Sequence, residues 1–464
     1  MLDRLGLHNK IYTAYLSRHK PDNLSAYDFF KLLGRENLCS MEEIKRIWED
    51  YVYKIKKGTT EDRISLYVNL PYCLIKCEYC RHYFKKAEDK SELDVYLEKI
   101  VRKARFFKGI FSGIRFKTIN IGGGTPSILN EAQLEKLLSA LQDNFNFEKE
   151  GQSSFECNPF TTSSGKLNIL SKYGINRISF GVQSVNPKIL KSMNRGYQDL
   201  NQVRIAVNSA KKYKFRINID LMIGLKGDTA KTVIESFRKV AVLLPYTITL
   251  YSLQPTKEYL IKYYEGNERL FCEDLAPKLN GFFRLIDREA FKCGYMYFSR
   301  KSLGCDADGI TFIRKDFQPY KYSYDDTKPM DCFGLGTGSV SYIFGNLNYQ
   351  ENSGEDICGD EFDKKIYKVI KFNDLRDAKL YYILDSFLLK RHIFIPAYKR
   401  LFSSSILKEF KQPLNELKKF KKVRIRDDSI FFMPRSFKQK FIYCSLFIHR
   451  VFRKPLPEDG YLTK

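Results

Sequence analysis

From about residue 63 the chain alternates short apolar runs with amphipathic stretches, and this rhythm sets the expected architecture. Strands are predicted over 64–69, 117–121, 153–157, 177–181, 216–221 and 247–252. Helices are predicted from Ser91, with Asp94 three residues on as its capping-box partner, and over 131–141, 202–212 and 229–244. Six strand–helix repeats imply an α/β protein whose parallel sheet has right-handed crossovers. Closing or half-closing such a sheet gives a full or partial (β/α) barrel. Its site is expected at the carboxyl ends of the strands.

The flanks follow other rhythms. Residues 1–62 read as a polar helical extension, with apolar positions at helical spacing over 41–52. After about 346 the alternation stops: 375–402 reads as helical, and 423–432 as a hairpin turning on Asp427, Asp428 and Ser429. Helices followed by a hairpin suggest a small α+β, winged-helix-like module. The division expected is therefore 1–62, 63–345 and 346–464.

Length and composition narrow the class. The 464 residues are 44% hydrophobic and 15% aromatic, enough for a large buried core. No apolar run approaches the roughly eighteen residues of a membrane-spanning helix, and the N-terminus lacks the features of a secretory signal. The expected location is the cytoplasm. There, eleven cysteines suggest metal or redox chemistry before disulfides. The net charge of +25 is spread along the chain, with a local cluster from Lys418 to Arg426. No RNA- or DNA-binding signature accompanies it, so nucleic acid is not the expected partner; the charge equally suits carboxylate-rich substrates.

The densest chemistry lies where the first predicted strand ends. Cys73, Cys77 and Cys80 stand at spacings of four and three at the expected barrel mouth. A [4Fe–4S] cluster usually takes four thiolates, so three leave one iron open to a further ligand. The spacing also permits a zinc site with His82 as fourth ligand, or three unrelated thiols. Gly122-Gly123-Gly124-Thr125-Pro126-Ser127 follows the second strand and lets the backbone approach a ligand closely. Glu156, Gln183 and Asp220 then end or follow the third, fourth and fifth strands. One such polar group is as readily a cap or loop anchor; a series on one rim points to a site.

Taken in order, these motifs resemble the oxygen-independent coproporphyrinogen III oxidase-like (HemN/HemW-like) group of radical S-adenosylmethionine (SAM) proteins. Those that carry the resemblance are Tyr67 through Cys80, 122–127, Glu156-Cys-Asn-Pro, 176–184 and 218–225, with Phe333 to Ser339 as a late glycine motif. It covers 64–345, and the segment to about 435 more loosely. The resemblance implies that Cys73, Cys77 and Cys80 ligate a [4Fe–4S] cluster and that one or two SAM molecules bind. Tyr67 would sit against SAM, and Gly123, Gly124 and Thr125 would meet its amino end. Glu156, Gln183, Arg195 and Asp220 would line the SAM sites; Arg195 alone reads equally as a solvated surface residue. A flavodoxin or ferredoxin would supply electrons.

The chain also departs from the decarboxylase pattern. His82 stands where that enzyme has a further cysteine, Asn69 where histidine is frequent, and Lys226 where a Gly-Leu-Pro-Gly motif has proline. Three functions therefore stay open: a radical SAM oxidoreductase acting on a tetrapyrrole or related substrate, a radical SAM methyltransferase, and a heme-binding chaperone. His82, His392 and the other cysteines would be candidate heme ligands for the last.

Overall fold

The computed structural model describes residues 26–32, 35–82, 84–87, 90–299, 309–318, 320, 330–351, 366–372, 374–387, 392–419, 421, 423–426, 428–432, 444 and 446–447. Among these residues thirteen strands form one sheet. β1 (Glu36–Ser40) comes from the N-terminal segment. β2 (Ile64–Leu70), β3 (Thr118–Gly123), β4 (Ser153–Cys157), β5 (Arg177–Gln183), β6 (Arg216–Ile223) and β7 (Thr247–Ser252) are the six expected strands. β8 (Tyr295–Ser299), β9 (Gly309–Arg314), β10 (Asp331–Leu335), β11 (Val340–Ile343), β12 (Leu347–Gln350) and β13 (Ile366–Lys371) complete it.

Across the sheet the order is β1-β13-β12-β11-β10-β2-β3-β4-β5-β6-β7-β9-β8. From β2 to β7 the neighbours are consecutive and parallel. β10 adds a parallel strand beside β2, while β9 runs antiparallel to β7. The outermost strands are β1 and β8, so the sheet is the half-closed form of the expected barrel.

The two faces of this sheet differ, because side chains alternate along a strand. Leu66, Val68, Ile119, Ile121, Phe155, Ile178, Phe180, Ile219 and Leu250 are buried in the main core. They pack against residues of the crossover helices α3 (Lys90–Lys108), α4 (Glu131–Asn144), α5 (Ser164–Lys172), α7 (Leu200–Lys212) and α8 (Ala230–Ala241). The alternate positions carry Asn120, Ser154, Glu156, Ser179, Asn218, Asp220 and Thr249. A parallel sheet covered by helices on both faces would be apolar on both; here one face is kept polar.

Local sequence explains the helix starts. Asn130, Asp199 and Thr229 each close a capping box at the N-terminus of α4, α7 and α8. α3 departs from expectation: it begins at Lys90, so Ser91 lies inside it, and the Asp94 carboxylate accepts from Gln133 Nε2 at 2.9 Å. Packing between α3 and α4 uses that carboxylate.

The flanks are built onto the same sheet. Within 1–62 the chain forms α1 (Ala26–Leu32), β1 and α2 (Met41–Lys56), and β1 pairs antiparallel with β13. The extension is therefore not purely helical. Trp48 of α2 is fully buried, stacks edge-on to Phe333 and donates from Nε1 to Tyr349 Oη at 3.1 Å. β12 and β13 continue the sheet past 346. The stretch 375–402 is not one helix: α11 (Leu375–Asp385) is followed by β14 (His392–Phe394) and α12 (Ile395–Phe402). β14 pairs with β16 (Ser429–Phe432) of the expected hairpin, whose other strand is β15 (Val423–Arg426), so pairing with the hairpin overrides helical periodicity. Asp427 lies outside the described residues, as do the 1–25 segment and the side chain of His392. Leu380, Tyr398, Leu414 and Ile430 form a second core with Phe29 and Phe30 of α1. Among the described residues no helix is long and apolar enough to cross a membrane.

Candidate iron–sulfur site

The three cysteines lie just beyond β2, on one loop held from two sides. Tyr72 anchors its start: its ring is fully buried and meets Tyr96 edge-on at 5.3 Å. The Thr125 N–H donates to Tyr72 O at 2.8 Å, joining the glycine run to the loop. From the other side, Glu78 N–H donates to Met193 O at 3.3 Å and Asn194 Nδ2 to Lys76 O at 2.9 Å. Tyr79, between the second and third thiols, is buried against Ile189, Met193 and Leu225.

Two polar side chains touch the thiols directly. Thr125 Oγ1 donates to Cys73 Sγ at 3.2 Å. Arg195 Nη1 reaches Cys77 Sγ at 3.6 Å and Tyr79 Oη at 3.3 Å, while Nη2 donates to Gly181 O at 2.6 Å and Gln198 Oε1 at 2.7 Å. Arg195 is 6% exposed, so the solvated surface reading fails. Burial opposes its charge, but Tyr79, Cys77 and Tyr197 outweigh that and hold the guanidinium above its ordinary pKa.

Cys73, Cys77 and Cys80 are free thiols, the donor type that an iron–sulfur cluster takes. Burial pushes the Cys73 thiol up to about 11 against the Thr125 hydroxyl, and raises Cys80 as well. Such thiols deprotonate on coordination. His82 is exposed and meets Cys80 through its backbone N–H.

Above the loop lie the rim residues. A side chain at Gly122 would meet the Glu156 carboxylate at 2.6 Å, and Gly123 adopts φ +108° and donates from N–H to Glu156 Oε2 at 3.2 Å. Burial, then the nearby Asp220, pushes the Glu156 carboxyl up to about 7. Asp220 is raised by burial too, while Ser179 Oγ at 2.8 Å, Asn218 Nδ2 at 2.7 Å and Tyr251 stabilise its charge. Gln183 ends β5 at φ +69°, and its buried Oε1 has no hydrogen-bond partner. Gln183 thus combines a left-handed backbone with an unpaired buried acceptor on the rim.

Tyr67 sits on β2 opposite Asn120 and Gly334 and donates to Asn69 Oδ1 at 2.9 Å. Asn69 in turn donates from Nδ2 to Thr337 O at 2.5 Å, so the late glycine motif closes against the first strand. The motif reading missed Asn69 as a hub, Tyr79 as the partner of Arg195, and Ser179. An aromatic between the second and third cysteines of the motif was the available signal for Tyr79.

An open parallel sheet with three thiols on the loop beyond its first parallel strand defines the radical SAM class. Residues 68–240 match the model of the Radical SAM superfamily. The heme chaperone HemW of Lactococcus lactis is 30% identical over 284 residues, 61% of this chain and 70% of that protein. The oxygen-independent coproporphyrinogen III oxidase of Escherichia coli is 26% identical over 292 residues, 61% of this chain and 62% of that protein. The solved structure of that oxidase, HemN, aligns with a TM-score of 0.66 and 22% identity over 86% of this chain and 92% of that one, which supports the fold. The chain belongs to the HemN/HemW-like group of radical SAM proteins. It spans from 50% to 70% of the length of such relatives.

Proposed function

We propose that the chain is a radical SAM oxidoreductase that holds a [4Fe–4S] cluster on Cys73, Cys77 and Cys80, binds SAM beside it, and acts on a tetrapyrrole or related substrate in the cytoplasm. The observation that carries this reading is the contact of Arg195 and Thr125 with two of the three thiols, below a rim of Glu156, Gln183 and Asp220. When bound, the cluster supplies one electron and SAM the 5′-deoxyadenosyl radical. The chain's own residues place and shield that chemistry. Arg195 offsets thiolate charge, and Thr125 orients Cys73. Gly123 and Gly124 admit a ligand to the backbone, and Tyr67 closes the strand side. Glu156, Gln183 and Asp220 would offer acceptors to the amino and hydroxyl groups of SAM.

Anaerobically reconstituted protein with SAM, reductant and coproporphyrinogen III tests it. Release of 5′-deoxyadenosine with loss of carbon dioxide supports the oxidase reading; 5′-deoxyadenosine without substrate change supports another substrate. Methyl addition supports the methyltransferase. Similarity to HemW favours one further reading, a heme chaperone. Stoichiometric heme binding without turnover supports that one.

A further inference from the structure

On the polar face of the sheet a row of hydrogen-bonded side chains runs across four neighbouring strands, β5, β6, β7 and β9. Their registers set Ser179 beside Asn218, Asn218 beside Thr247, Asp220 beside Thr249, and Thr249 beside Thr311. Asn218 is 1% exposed, and Ser179, Thr247, Thr249 and Thr311 are buried with it. Asp220, where the row meets the rim, is half-buried.

The hydrogens in this row have a direction. Ser179 Oγ donates to Asp220 Oδ2 at 2.8 Å, so its lone pairs are left for Asn218 Nδ2, which donates to it at 2.8 Å. The second amide hydrogen goes to Asp220 Oδ1 at 2.7 Å. The amide oxygen faces the other way and accepts from Thr247 Oγ1 at 2.7 Å and Thr249 Oγ1 at 3.0 Å. Thr249 has then committed its one hydrogen, so it accepts in its 3.3 Å contact with Thr311 Oγ1. Asn218 thereby uses both donor hydrogens and both acceptor sites. A reversed amide would set its oxygen against a carboxylate oxygen. An apolar side chain here would avoid the cost of burying an amide. The amide is satisfied instead, in a network that rigidifies its members, and the network ends on the acid at the rim.

We propose that Asn218, held by Thr247 and Thr249, is a positioning residue that presents the Asp220 carboxylate to SAM as a fixed hydrogen-bond acceptor. The inference rests on the radical SAM reading and deepens it. Both Asp220 oxygens already receive a hydrogen from the protein, so the lone pairs that remain accept from the ligand. A hydroxyl or ammonium group of SAM brings the donor. Because the carboxylate is oriented before the ligand arrives, part of the ordering cost of binding is removed. The hydrogen bonds of the two threonines reach Asp220 through Asn218, so their effect on SAM travels through the amide.

The test compares reconstituted full chain with two variants. Thr247→Val, Thr249→Val nearly keeps side-chain shape and deletes both hydroxyls; Thr247→Ser, Thr249→Ser keeps them. SAM affinity is read by equilibrium dialysis, and turnover by dithionite-driven release of 5′-deoxyadenosine. The valine variant should bind SAM roughly tenfold more weakly, the loss expected for about one hydrogen bond. Its KM for SAM should rise in step, with kcat within about twofold of wild type. The serine variant should recover most of the affinity. A merely structural role would lower iron content and kcat together and leave the affinity of the folded fraction unchanged. That pattern, equal affinity in all three proteins, or weakening that serine does not repair overturns the inference. If the double valine variant does not fold, Thr249→Val alone should weaken SAM binding by roughly threefold, and unchanged affinity overturns the inference. A wild type that binds no SAM and releases no 5′-deoxyadenosine sinks the radical SAM reading and the inference with it. Wild-type binding that survives both valines sinks the inference alone.

Discussion

The Arg195 guanidinium bridges from the Cys77 sulfur at 3.6 Å to the Gly181 carbonyl at 2.6 Å, tying the cysteine loop to the end of β5. Arg195→Ala would leave Gly181 O, Gln198 Oε1 and Tyr79 buried without this donor. We expect a loss of about 3 kcal/mol, measured by urea unfolding of cluster-free protein. Arg195→Lys should recover only part of it, because an ammonium lacks the guanidinium fork. Full recovery by lysine would contradict the bridging role.

Cys77→Ala should lose most bound iron and sulfide after reconstitution. Cys157→Ala should keep both at wild-type levels, because Cys157 is a buried thiol on β4, pushed up to about 12 by desolvation. Metal analysis and the brown charge-transfer absorbance read the difference. The reverse pattern would remove Cys77 from the ligand set.

Glu156 predicts a pH signature. Its folded pKa, about 7, lies above the ordinary value of 4.5. The folded state therefore binds more protons between these values, and its stability falls as pH rises through that window. Glu156→Gln should flatten the slope between pH 4.5 and 7 and gain up to about 3 kcal/mol at pH 8 in cluster-free protein. Denaturation at several pH values measures this; an unchanged slope would refute the assignment.

Lys226 stands in place of proline, and its N–H donates to the buried Tyr259 Oη at 2.8 Å. Lys226→Pro would delete that donor and should cost about 1 kcal/mol. In the Tyr259→Phe background the same change should cost much less. A double-mutant cycle with no coupling would show that the hydrogen bond contributes nothing.

Sequence alone determined the six parallel strands and the three thiols, because both are written locally. Ser153–Cys157 and Thr247–Ser252 carry β-rich runs between turns and caps, and the cysteine spacing survives any detail of packing. The rim of Glu156, Gln183 and Asp220 was legible for the same reason: strand ends follow from strand positions. Only the tertiary structure decided what those residues touch. It buried Arg195 on Cys77, turned Asp94 from a cap into a partner of Gln133, and inserted β14 into a helical stretch. It also carried β1 across to pair with β13. Each of these depends on residues far apart in the chain, between which local periodicity holds no information.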